Sequence, residues 1–77
     1  MNTCYVCEYG WIIVGQFEAK RDNMVRLKDA SVVRCWHNGR GIGAISKKEY
    51  KDEYTLDEIG YVEIAENKII FAIPCEW

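Results

Sequence analysis

The sequence predicts a mainly β domain: a small curled antiparallel sheet or SH3-like barrel of five to six strands, with one or two short helical turns. Three observations predict it. Runs rich in Val, Ile, Tyr, Trp and Phe recur along the chain, and these residue types fill strands. Gly, Asn and Asp punctuate those runs at short intervals, as hairpin turns do. A chain of 77 residues makes one domain, residues 1–77, with a small core. A chain of that size buries only roughly 60% of the surface its unfolded form exposes.

Thr3–Glu8 reads as a short strand of β-branched and aromatic residues, broken at Tyr9 and Gly10. Trp11–Lys20 resumes as a longer strand. There Trp11, Ile13, Gly15, Phe17 and Ala19 share one face, and the other carries Ile12 and Val14 before turning polar at Gln16 and Glu18. Its first half is apolar on both sides and needs two covers. A partner subunit is the simplest second cover, so a twofold homo-oligomer is expected. Arg21, Asp22 and Asn23 form a turn, Met24–Lys28 a strand, Asp29 and Ala30 a bend, and Ser31–Trp36 the next strand. His37 through Gly43 is a glycine-rich loop containing the turn pair Asn38-Gly39. Ser46-x-x-Glu49 and Thr55-x-x-Glu58 both match the capping box and predict short helical turns, the second ended by Gly60. Tyr61–Ile64 and Lys68–Ile73 make a closing hairpin about Glu66 and Asn67, and Pro74 ends the last strand.

Charge narrows the function. Ten Lys and Arg against twelve Asp and Glu leave a net charge of −2, without the basic surface that long nucleic acid requires. The longest apolar runs, Trp11–Val14 and Ile69–Pro74, fall far short of the roughly 20 residues that span a bilayer. Met1–Cys4 carries no basic region followed by an apolar stretch, so the expectation is a cytoplasmic protein with reduced thiols.

Cys4 and Cys7 form a Cys-x-x-Cys pair, and Cys35, His37 and Cys75 could complete a zinc site. Tyr5 and Val6 between the pair favour extended backbone, which sends the two sulfurs to opposite faces. The expectation is therefore buried, reduced cysteines, with no metal and no cofactor. Catalysis has little to draw on. His37 is the only histidine, no nucleophile or metalloprotease motif is present, and the carboxylates cluster in polar stretches. The chain is expected to bind something rather than transform it, and three Trp and five Tyr exceed what so small a core needs.

Val32, Arg34 and Trp36 share a face of an extended strand, at the mouth of the glycine loop with Asn38, Gly39 and Arg40. Such a set suits a planar anion: an indole to stack on a base, guanidinium groups to grip phosphate, and glycines to admit close backbone approach. The same residues also fit a plainer arrangement, with Trp36 in the core, Arg34 paired to a carboxylate and Gly39 in a hairpin turn. Tyr9 and Trp11, at the other break in the chain, are the second choice for the stacking partner.

The segments Tyr9–Gly15, Val25–Ala30, Val33–Trp36 with its glycine loop, and Thr55–Gly60 together resemble a large family of very small phage proteins. That family is associated with the anti-CBASS sponges, which withhold cyclic dinucleotide alarm signals from host effectors. The resemblance implies immune evasion by sequestration of a cyclic dinucleotide such as 3′3′-cGAMP. It also implies a small oligomer, a tetramer among its forms, with pockets built between subunits. Arg34 and Cys35 stand where many members carry a second tryptophan and a basic residue, which leaves the ligand open. The alternative is a protein-interaction adaptor of SH3-like size that inhibits a host protein through the same aromatic face.

Overall fold

The computed structural model covers Met1–Trp77 and is mainly β. Five strands, β1 (Thr3–Cys7), β2 (Ile12–Arg21), β3 (Met24–Trp36), β4 (Tyr54–Ala65) and β5 (Ile69–Pro74), form one antiparallel sheet in the order β4-β3-β2-β1-β5. Short 3₁₀ turns lie between strands at Glu8–Gly10, Ile42–Ser46, Lys48–Glu53 and Glu66–Lys68. No helix is long and apolar enough to cross a membrane.

The sheet curls without closing into a barrel. β4 and β1 lie three strands apart in the order, roughly 14 Å on a flat sheet. Yet Ile64 of β4 packs in one buried cluster with Tyr5 and Cys7 of β1, Ile13 of β2, and Val25, Leu27 and Ala30 of β3. The Glu66–Lys68 turn joins the two edge strands across the mouth of the curl.

The opposite face carries a second cluster of Cys4, Val14, Val33, Ile45, Tyr54 and Cys75, with Ile12, Trp36, Leu56 and Trp77 against it. Here the structure corrects the reason given for a subunit partner. The second cover of Ile12 and Val14 is the chain itself: Ile45, fully buried in the Ile42–Ser46 turn, and the C-terminal residues. Two bonds clamp that lid, from the Trp77 indole Nε1 to the Ile45 carbonyl at 2.7 Å and from the Glu76 N–H to the Ser46 carbonyl at 2.8 Å. Each large side chain fully buried in this way contributes about 1.5–3 kcal/mol.

Bulges shape the strands. The predicted strands at Met24–Lys28 and Ser31–Trp36 are one strand, bent where Asp29 adopts φ 49° and the β3–β4 register slips between Leu27 and Ala30. Gly15 sits against that bend. A β-carbon there would lie 3.0 Å from the Ala30 β-carbon and 3.2 Å from the Lys28 carbonyl oxygen. The helical turn predicted from Thr55 is absent, because Thr55–Glu58 lies within β4 and pairs with β3 from Cys35 to Ser31. Gly60, at φ 78°, faces Ala30 across a register slip and ends no helix. Ser46 closes one 3₁₀ turn and caps none; its hydroxyl donates to the Gly43 carbonyl at 3.4 Å.

Candidate functional site

The β1–β2 hairpin turns over two residues in left-handed conformation, Tyr9 at φ 63° and Gly10 at φ 80°. The Trp11 N–H reaches the Glu8 carbonyl at 3.5 Å, and the Cys7 N–H donates to the Trp11 carbonyl at 2.8 Å. Positive φ at both central residues is the signature of a type I′ turn, which Asn-Gly or Asp-Gly normally fills. The β2–β3 hairpin follows that preference with Asp22 and Asn23, at φ 53° and 64°. The first hairpin departs from it. Placing a tyrosine in the left-handed region costs about 1–2 kcal/mol, and the ring recovers nothing by burial, since Tyr9 is 93% exposed.

Trp11, two residues on, is 60% exposed. Two grooves meet at this aromatic pair. One, of about 390 Å³, runs along the strand ends between Tyr9, Trp11, Ile12, Val33, Arg34 and Asp57. The other, of about 320 Å³, lies in the mouth of the curl, where Cys7, Trp11 and Ile13 face Val62 and Ile64, with Glu8 and Lys68 at its rim.

Arg34 is exposed and its fork meets Asp57 in two bonds, Nε to Oδ2 at 2.9 Å and Nη2 to Oδ1 at 2.6 Å. The hydrogen bonds that Arg34 donates to Asp57, and then the charge of that carboxylate, raise the guanidinium pKa further. An exposed pair of this kind is worth little to stability. Its effect is to pre-orient the guanidinium at the groove.

The structure divides the residues chosen from sequence. Tyr9, Trp11 and Arg34 border one groove. Trp36 lies elsewhere, because the β3–β4 register slips between Val33 and Cys35 and the added residue reverses the alternation. The expected shared face of Val32, Arg34 and Trp36 is therefore not formed. Trp36 joins Val33 in the second cluster and packs on Tyr54, ring centres 5.9 Å apart. The glycine loop serves the fold. Asn38 Oδ1 accepts the Arg40 N–H at 2.9 Å, next to Gly39 at φ 71°, and the Tyr54 hydroxyl donates to the Gly41 carbonyl. Arg40 lies 4.0 Å over the Tyr50 ring and 3.4 Å from Glu53.

The thiols of the Cys-x-x-Cys pair are in different clusters, Cys4 with Cys75 on one face and Cys7 with Tyr5 on the other. Burial, with the neighbouring thiols Cys75 and Cys7 adding to it, pushes Cys4 up to about 12. Burial also raises Cys7 and Cys75, so all three are held as neutral thiols. Val62, Ile64 and Asp57 are among the groove residues that sequence reasoning missed. The signal for the site itself was local: a tyrosine before glycine in a two-residue hairpin turn.

No protein-family model matches the chain, and no curated protein matches it. The resemblance to the phage sponges rests on the short motifs quoted above.

Proposed function

We propose that this protein is a non-catalytic binding protein that captures a cyclic dinucleotide at the Tyr9–Trp11 surface and withholds it uncleaved, as a phage immune-evasion sponge. One observation supports this most: a strained, fully displayed tyrosine stands beside an exposed tryptophan and an oriented arginine on one groove of about 390 Å³. Backbone strain without a packing return marks positions kept for function. The groove falls in the range of small-molecule sites, roughly 300–1,000 Å³. Bases stack on the two rings, each contact contributing about 1–3 kcal/mol. Arg34 exchanges the Asp57 carboxylate for a phosphate of the ligand.

A second reading follows from the other groove. Its Cys7, Trp11, Ile13, Val62 and Ile64 lining is apolar and would hold side chains of a partner protein, the adaptor alternative. Titration with a panel of cyclic dinucleotides, read by Trp fluorescence and calorimetry, separates the two. Saturable binding lost in Trp11→Ala supports the sponge. Indifference to every nucleotide removes it and leaves the adaptor.

A further inference from the structure

Arg34 and Asp57 are the only charged side chains on the groove that Tyr9 and Trp11 border. They come from neighbouring strands. Val33 pairs with Leu56 and Cys35 with Thr55, so Arg34 is the extra residue of a bulge in β3. A bulge re-aims the side chain it carries, and this one brings Arg34 onto Asp57 of β4. In strand order β3 lies between β4 and the Tyr9–Trp11 turn. The groove thus has an aromatic pair on one side of β3 and a carboxylate on the other.

Arg34 offers two parallel N–H groups, Nε and Nη2, one to each oxygen of Asp57, at 2.9 and 2.6 Å. Both side chains are open to exchange, Arg34 66% and Asp57 39% exposed, and such a pair holds weakly. Capture of a phosphate by Arg34 has a second consequence. It strips the carboxylate of both donors and leaves it bare on a groove that an anionic ligand then covers. A charged acceptor covered without donors is costly. A ligand that takes Arg34 must therefore return a pair of donors to Asp57.

Among the common bases only guanine carries such a pair. Its ring N1–H and its exocyclic N2 amino group point the same way, side by side, as the two N–H groups of an arginine fork do. Adenine sets a lone pair at N1 beside its amino group, and cytosine does the same at N3. Uracil has one N–H between two carbonyls. Bases held on aromatic rings are commonly read along this edge.

We propose that Asp57 is the base-reading residue of the groove, and that it selects guanine by accepting N1–H and N2–H once Arg34 has turned to a phosphate. The inference rests on the capture reading and adds the identity of the base. One rearrangement satisfies every group: the arginine keeps an anionic partner, and the carboxylate keeps two parallel donors.

Calorimetric titration with cyclic di-GMP, cyclic di-IMP and cyclic di-AMP tests it. The three share one ring of sugars and phosphates and differ only along the base edge. The parent is expected to bind cyclic di-GMP most tightly. Cyclic di-IMP, which lacks the N2 donor, should bind about tenfold more weakly. Cyclic di-AMP, which turns a lone pair toward the carboxylate, should be weaker still. Asp57→Asn has nearly the same shape but one acceptor and one donor, which fits adenine rather than guanine. That variant, its fold checked by circular dichroism, should bind cyclic di-AMP at least as well as cyclic di-GMP. The ratio between ligands is the readout, because freeing Arg34 acts on all three alike. Equal affinity of the parent for all three, or a guanine preference kept in Asp57→Asn, would overturn the proposal and leave the sponge standing. A parent that binds none of them overturns both.

Discussion

At Tyr9 the chain accepts a left-handed tyrosine whose ring is left in water. Tyr9→Gly removes the steric cost of positive φ and gives back part of the gain in unfolded-state entropy, so it should stabilise the fold by up to about 1 kcal/mol. The same change should weaken ligand binding. Urea denaturation beside a binding titration checks both, and a loss of stability would mean that the ring packs on something. Trp11→Ala removes one stacking surface and should weaken binding about tenfold or more while the fold persists. Arg34→Ala is expected to weaken nucleotide binding and leave thermal unfolding unchanged, since its bond to Asp57 is exposed. Trp36→Ala should do the reverse: it strips a half-buried ring from Tyr54 and should destabilise the fold by about 1–3 kcal/mol. These choices were only partly legible in the sequence. Composition identified the aromatic excess and the Tyr-Gly break, but a bulge has no composition signal, and one extra residue after Val33 moved Trp36 off the Arg34 face.

Among the elements, β3 organises the rest: a 13-residue strand that touches both clusters and turns where Asp29, Ala30 and Gly15 meet. Gly15→Ala would force its new carbon against Ala30 and the Lys28 carbonyl, and should cost about 1–3 kcal/mol in chemical denaturation. An unchanged midpoint would show that the bend yields freely. Strand positions and the Asp22-Asn23 turn were legible because alternation and turn residues agreed there, but the expected closing hairpin is not formed: Tyr54–Ala65 pairs with β3 and Ile69–Pro74 with β1, at opposite edges of the sheet. Thr55-x-x-Glu58 misled because a capping box is four residues of local preference, and pairing of Tyr54–Ala65 along β3 outweighs it. The lid at Ile42–Ser46 was illegible for another reason. Its partners, Val14, Cys75 and Trp77, are distant in sequence, and only the tertiary fold brings them over the Ile12–Val14 face.

The whole molecule is a curled sheet with a core on each face, and its thiols report on both. Cys4, Cys7 and Cys75 are buried and Cys35 is half-buried, so a thiol reagent under native conditions should modify Cys35 first. The Cys4 thiol links stability to pH. It ionises near its ordinary 9.0 when unfolded and only at about 12 when folded. Between those values the folded protein holds the extra proton, so rising pH favours unfolding. The contribution is complete below pH 9.0 and is lost as pH climbs through about 12, by about 1.4 kcal/mol per pH unit from this group. Cys7 and Cys75, raised by burial, act in the same direction. Cys4→Ala should flatten the alkaline decline, measured by thermal melts in that window, and an unaltered slope would place its cause elsewhere. The proposed function at this scale is capture without chemistry, on a displayed aromatic turn. The most direct measurement incubates the protein with a panel of cyclic dinucleotides, removes free ligand, denatures the complex and identifies what is released. The account predicts stoichiometric release of one intact cyclic dinucleotide from the parent and little from Trp11→Ala; release of linearised product, or no retained ligand from the folded parent, would contradict it.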